Sequence, residues 1–191
     1  MAFLNLASVR LCTESEGPGR RFAIWVQGCP RRCEGCCNPE MQELRQNIVV
    51  STEDLKRLIA SSIEQNRIEG VTFVGGEPFL QAEGCAEIAG WCKQHGLSTL
   101  AFSGYLLQEL KEMKNEHVET LLSQLDVLVD GPFIVEQYDN ERDWIGSTNQ
   151  NVWYLSDRYN CSIEKGNSGH QAEFLISDSE ILINGWPFES T

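Results

Sequence analysis

The chain has 191 residues, 41% of them hydrophobic, which is enough for one buried core and gives no reason of length to divide it. Its 28 acidic against 15 basic residues leave a formal net charge of -13, which opposes nonspecific attachment to nucleic acid or to an anionic membrane, while Arg20, Arg21, Arg31 and Arg32 are expected to offer a local basic patch to an anionic or acidic partner. The apolar residues near Met1 are interrupted by polar and charged ones before a signal-peptide core or membrane span is complete, so a soluble, cytoplasmic protein is expected.

In chain order, Phe22 to Gln27 is a short β-prone run ending at Gly28, and a cysteine cluster follows at once on a loop containing Pro, Arg and Gly. Ser51 with Asp54 predicts a capping box, and Leu55, Leu58, Ile59 and Ile63 share one helical face. Val71 to Val74 predicts a strand with Gly75-Gly76-Glu77-Pro78 as its exit, and Ala82 to His95 a helix closing at Gly96. Leu97 to Phe102 is the next strand, leaving through Ser103-Gly104. Leu106 to Met113 reads as a helix, and Asp126 to Val129 as a strand that ends at Asp130-Gly131-Pro132. Beyond Asp139 the pattern weakens. Val152 to Leu155, Glu173 to Ile176 and Ile181 to Ile183 are β-prone pieces that predict a less regular cap or a final hairpin. One domain over 1–191 is expected, with its core at about 17–150 and a less regular segment at 151–191.

Strands that alternate with helices predict a parallel α/β sheet, because each crossover returns the chain in the same direction. Sites in such sheets form at the carboxyl ends of strands. The cysteine loop, Gly75 to Pro78, Ser103-Gly104 and Asp130 all fall at such ends, so one mouth is expected to collect them.

Eight cysteines would suit disulfides in a small exported domain, yet four crowd between Cys29 and Cys37 and no export signal precedes them. Metal or redox chemistry in a reducing compartment is the better reading. Cys29, Cys33 and Cys36 are spaced C-x3-C-x2-C, compact enough for one loop to wrap three thiolates around a metal centre. Iron-sulfur clusters are usually held by four cysteines, so three local ligands leave one iron open to a substrate or cofactor. The rival from another class is a zinc-stabilised binding module, with Cys37 or a distant cysteine as fourth ligand. Cys37 also permits a shifted register, although only Cys36 gives both gaps together.

The C-x3-C-x2-C loop resembles the signature of radical S-adenosylmethionine enzymes. Gly17-Pro18-Gly19-Arg20, Val26-Gln27-Gly28-Cys29 and Asn38-Pro39 resemble the glycyl-radical-enzyme activases within it. Asp126-Val127-Leu128-Val129-Asp130-Gly131-Pro132-Phe133 and Gly146-Ser147-Thr148-Asn149-Gln150 are similar to the family that activates anaerobic ribonucleotide reductase. The likeness runs from Gly17 to Gln150.

That resemblance implies an incomplete parallel (β/α) barrel and a 4Fe-4S cluster on Cys29, Cys33 and Cys36. It also implies S-adenosyl-L-methionine on the open iron, cleaved to methionine and a 5'-deoxyadenosyl radical. The radical's target would be a backbone glycine of a partner such as anaerobic ribonucleoside-triphosphate reductase, with electrons from a donor such as flavodoxin or ferredoxin. The same machinery serves enzymes that modify small molecules or ribosomal peptides, which is the alternative within this class. By resemblance, Gly75, Gly76 and Glu77 meet the methionine end of the cofactor, glycine permitting close backbone approach. Gly35, Cys36 and Cys37 lie beside its adenine, Cys37 standing where the family commonly has tyrosine or histidine. Ser103 and Asp130 fall where relatives contact the ribose, the carboxylate or a nearby cation; a turn hydroxyl and a helix or turn cap are their ordinary readings. Arg142, Ser147, Asn149 and Gln150 form a late polar loop that either orders itself around the cofactor or is plain surface.

The remaining cysteines, Cys12, Cys85, Cys92 and Cys161, lack ligand spacing, and Cys85 and Cys92 read as packing residues of one helix. His95, His117 and His170 are isolated. Trp144 and Trp186 are candidates for contact with a partner.

Overall fold

A computed structural model describes residues 1–165, 172–176 and 181–185. Its centre is a seven-stranded sheet in the order β3-β1-β2-β4-β5-β6-β7. Four neighbouring strands, β2 (Arg21–Val26), β4 (Gly70–Gly75), β5 (Ser98–Ser103) and β6 (Val127–Asp130), run parallel. Every residue of β2 and β6 is buried, as parallel strands covered on both faces require. Phe22, Ile24, Val71, Phe73 and Leu128 are fully buried there, each contributing about 1.5–3 kcal/mol relative to an exposed side chain.

The flanks are antiparallel. β1 (Phe3–Thr13) pairs with β2 and with β3 (Ile48–Ser51), while β7 (Asn151–Tyr154) pairs with β6. The fold is therefore a mixed α/β sheet with a parallel centre, not the all-parallel arrangement that the strand-helix alternation predicts. The reason lies in β1 and β3, which the sequence pattern does not declare. Of β1's first four residues only Leu4 and Leu6 are buried, and the strand goes on through Ser8 and Arg10. A strand half-exposed along much of its length carries a weak apolar signal.

The helices cover this sheet. α1 (Thr52–Asn66) starts at Ser51, whose Oγ accepts from the Asp54 N–H at 3.1 Å and donates to Asp54 Oδ2 at 2.6 Å. The expected cap is present, with its return bond made side chain to side chain. Leu55 and Ile59 are buried on its inner face, whereas Leu58 is exposed. α2 (Ala82–Gln94) buries Cys85, Ile88 and Cys92 and stops at His95 and Gly96, the latter at φ +75°. α3 (Leu107–Glu112) and α4 (Glu116–Gln124) complete the layer. α4 was not expected: nine mostly polar residues bury only Val118 and Leu121, and the Asn115 side chain caps it. β8 (Ala172–Ile176) and β9 (Ile181–Gly185) pair antiparallel as the predicted terminal hairpin. His170 and Trp186 lie outside the described residues. Among those described, no helix is long and apolar enough to cross a membrane.

Two backbone contacts tie the sheet to the cysteine loop. Where β4 ends, the Gly76 N–H donates to Val26 O at 2.8 Å and the Glu77 N–H to Gly28 O at 2.9 Å. A Cβ on Gly76 would sit 2.4 Å from the Gly28 carbonyl oxygen, and one on Gly75, at φ +98°, would sit 2.8 Å from Trp25 Cα. Only a pair of glycines lets these two strand exits lie backbone against backbone. Gly76→Ala should therefore destabilise the apoprotein by about 1–3 kcal/mol and displace Gly28 next to Cys29. Urea unfolding together with iron uptake checks this; an unchanged midpoint with full iron loading would contradict it.

Candidate functional site

The cysteine loop leaves β2 and is pinned at its root. The Gly28 N–H donates to Met41 O at 2.8 Å and the Cys29 N–H to Gln42 O at 3.1 Å, so the loop is closed by the segment that follows it. Positive φ at Gly28, Arg32 and Gly35 turns the chain between the thiols, and the Cys36 N–H donates to Cys33 O at 3.4 Å. Cys29, Cys33 and Cys36 are free and half-buried. Burial pushes the Cys29 thiol up. Cys36 is pulled down to about 6, first by a hydrogen bond from the Cys37 thiol, with burial opposing and the Asn38 N–H assisting. Cys37 is held well up by that same bond.

These thiols open on a cavity of about 1780 Å³. Cys29, Cys33, Gly35, Cys36 and Cys37 line it from the loop, and Gly75, Gly76, Ser103, Gly104 and Gly131 line it from the exits of β4, β5 and β6. The single mouth expected at the carboxyl ends of the parallel strands is thus present, built largely of glycine backbone. Among the described residues, no three Cys, His, Asp or Glu side chains converge closely enough for one metal ion. Four free thiols, those of Cys29, Cys33, Cys36 and Cys37, open on this one cavity and no histidine among the described residues lines it, a thiolate donor set of the kind an iron-sulfur cluster takes.

Glu77 and Asp130 stand behind this wall. Glu77 is fully buried, accepting from the Phe79 N–H and Ser103 Oγ at 3.0 Å each through Oε1, and from the Gly104 N–H at 2.8 Å through Oε2. Its carboxylate thus fixes the β5 exit against the β4 exit. Asp130 accepts from the Leu107 N–H at 2.6 Å and from Asn151 Nδ2 at 2.9 Å, so it caps α3 and holds β7. Ser103 lines the cavity while donating to Glu77.

The late loop is ordered by its own polar groups. Arg142 binds Asp139 at 2.6 Å and the carbonyls of Gln150 and Ser147, while Gln150 Oε1 accepts from the N–H groups of Gly146 and Ser147. The Asn149 side chain donates to Pro132 O. Gln150 and Trp144 reach the cavity.

Three further features border the cavity without a site role assigned to them from the sequence. Phe133 lines the cavity between two glycines, its ring 3.3 Å from the Cβ position of Gly35 and 2.8 Å from that of Gly146. Its place directly after Asp-Gly-Pro was the available signal. Arg31 lies over the Tyr105 ring at 4.8 Å and 3.5 Å from Glu109, packing against Gly104. Ile183, Asn184 and Gly185 of β9 also line the cavity; the sequence alone leaves open whether the segment from Gly185 onward closes over the cluster or docks a partner.

Burial raises Glu77 to about 7, against hydrogen bonds that lower it. Its proton is held more tightly folded than unfolded, so the associated stability is greatest below about pH 4.5 and is lost as pH rises through about 7. Glu16, raised to about 7 mainly by burial, acts in the same window. The urea midpoint of the apoprotein should therefore fall between pH 5 and 8. Glu77→Gln should remove part of that slope, worth about 3 kcal/mol at most, while lowering the acid plateau through a lost acceptor. An identical slope in wild type and variant would rule this out.

The sequence profile of the 4Fe-4S single cluster domain family matches residues 15–153. The anaerobic ribonucleoside-triphosphate reductase-activating protein of Vibrio cholerae serotype O1 is 32% identical over 142 residues, covering 70% of this chain and 87% of that one. The protein of the same description from Enterobacteria phage T4 is 27% identical over 158 residues, covering 81% and 96%. That of Escherichia coli K12 is 29% identical over 146 residues, covering 73% and 91%. With the profile spanning most of the chain and the Vibrio protein matched nearly throughout, this chain belongs to the 4Fe-4S single-cluster family, among the anaerobic ribonucleoside-triphosphate reductase-activating proteins.

Proposed function

We propose that this chain is a radical S-adenosylmethionine enzyme that installs a glycyl radical on an anaerobic ribonucleoside-triphosphate reductase. The observation that carries the reading is the convergence of three free C-x3-C-x2-C thiols and three glycine-lined strand exits on one cavity. Cys29, Cys33 and Cys36 would hold the 4Fe-4S cluster, leaving one iron for S-adenosylmethionine. Bound there, the pair supplies one-electron cleavage of a carbon-sulfur bond and with it a hydrogen-abstracting radical.

The protein's own part is to bind, orient and exclude. Gly75 and Gly76 would present bare backbone to the methionine end of the cofactor. Gly35, Cys36 and Cys37 would flank its adenine, with Ser103 toward the ribose. Glu77 and Asp130 act from behind: they position the β5 and β6 exits through Ser103, Gly104 and Leu107 rather than by reaching the cavity. Gln150 borders the same space and is held by Arg142 and the late loop.

The reading includes a cytoplasmic setting, a flavodoxin- or ferredoxin-like electron donor, and a single domain over 1–191. The four-stranded parallel centre is read as the incomplete barrel of this enzyme class. Modification of a small molecule is the weaker alternative, because the relatives matched over most of their length are described as reductase-activating proteins. The zinc-module alternative is set aside by membership of a 4Fe-4S family.

The test is anaerobic reconstitution, reduction with dithionite and chromatography of 5'-deoxyadenosine after adding S-adenosylmethionine. Cys29→Ala, Cys33→Ala and Cys36→Ala should each lose the brown cluster and all product. Cys37→Ala should keep both. Loss of iron in Cys37→Ala with retention in Cys36→Ala would shift the ligand set by one residue, and a wild type that takes up zinc but no cluster would end the proposal.

A further inference from the structure

The β8–β9 hairpin lies beyond the span shared with the family profile, 15–153, yet it forms part of the cavity. It is latched to the end of β1 by a compact set of hydrogen bonds. Asn184 Nδ2 lies 2.9 Å from Thr13 Oγ1, 2.8 Å from Ser15 Oγ and 3.2 Å from Glu173 Oε2. Glu173 Oε1 accepts from the Glu14 N–H at 2.6 Å, and Glu16 Oε1 accepts from the Gly185 N–H at 3.1 Å. Thr13 and Ser15 are buried, so this is an interior joint between segments about 160 residues apart. Both sides of the joint, Ser15 to Gly17 and Ile183 to Gly185, face the cavity.

The apolar side of the hairpin carries the pairs Phe174–Ile183 and Ile176–Ile181, all four more than half exposed. Ile183 is at once exposed and cavity-lining, a combination shared with Ile48, Val135 and Tyr138. Above the glycine-and-cysteine floor the lining thus mixes exposed apolar side chains with charged ones, among them Arg10, Glu14, Glu40 and Asp143. A cluster and one small cofactor leave much of about 1780 Å³ unfilled, and this mixed lining suits an entering polypeptide with apolar and polar side chains.

We propose that the latched β8–β9 hairpin is the partner-side wall of the cavity: it positions the incoming glycine-bearing polypeptide segment and has no part in cofactor cleavage. This rests on the reading that the chain activates a protein. Asn184 is then a positioning residue for the wall, and Ile183 a contact on it. The family's shared span handles the cofactor, and the added hairpin handles the fit to one particular partner.

The test uses the full-length, reconstituted protein with the cognate anaerobic ribonucleoside-triphosphate reductase as probe. It compares wild type, Asn184→Ala, which opens the latch, and Ile183→Glu, which leaves the latch but charges the wall. Cluster content and 5'-deoxyadenosine formation without reductase should stay within about twofold of wild type. The reductase concentration giving half-maximal glycyl radical, read by electron paramagnetic resonance, should rise about tenfold or more, equivalent to about 1.4 kcal/mol. Hydrogen exchange over 172–185 should speed up in Asn184→Ala alone. Variants that activate the reductase as wild type does, with the hairpin visibly released, would overturn the hairpin's role, as would a parallel fall in cofactor cleavage. A wild type that cleaves the cofactor but leaves no radical on the reductase overturns the functional reading itself, and this inference with it.

Discussion

The contact on which the site depends is backbone against backbone: Gly75 and Gly76 lying on Trp25 and Gly28. No side chain fits between these strand exits, since a Cβ on Gly76 would come within 2.4 Å of a carbonyl oxygen. The two hydrogen bonds that cross the gap set the height at which Cys29 leaves β2 relative to the end of β4. Everything nearer the cavity inherits that registration. The cysteine loop, closed at its root by Met41 and Gln42, then has one place to stand. Glycine's permissiveness usually costs conformational entropy, and here it is what allows a strand exit and the cysteine loop to share a wall.

Glu77 extends this constraint from β4 to β5. A carboxylate with three protein donors and no exposure is expensive to bury, and its raised pKa reflects that cost. What it provides is geometry: Ser103 and Gly104 are drawn to the same level as Gly76. Asp130 repeats the device one strand further on by holding α3 and β7. Both carboxylates are thus engaged with the strand exits that border the cavity.

The parallel centre was legible because β2, β4, β5 and β6 are short apolar runs punctuated by glycine, and because C-x3-C-x2-C marks the one loop that interrupts them. The strand exits followed from the same punctuation. β1 was not legible, since a strand with much exposed surface mixes polar and apolar residues without a dominant period, and β3, Ile48-Val49-Val50-Ser51, is β-branched but too short at four residues to stand out from a loop. α4 hid for a related reason, with only two buried anchors in nine residues. Arg21, expected in a surface basic patch with Arg20, Arg31 and Arg32, is not on the surface. It is fully buried, donating to Thr72, Ser98, Pro18 and Val71 beneath the sheet, and no rule of periodicity places an arginine there. The buried role of Glu77 and the latch at Asn184 depend on partners 26 to 171 residues distant, which local pattern does not encode.

On the proposed function, Cys29, Cys33 and Cys36 would hold a cluster with one iron left open inside this cavity. The most direct measurement is electron paramagnetic resonance of the dithionite-reduced, reconstituted protein before and after adding S-adenosylmethionine. The account predicts a reduced 4Fe-4S signal whose g-values shift on addition, because the cofactor takes the open iron. A signal of full intensity that is indifferent to the cofactor would mean that a fourth protein ligand closes the cluster, and would contradict the account.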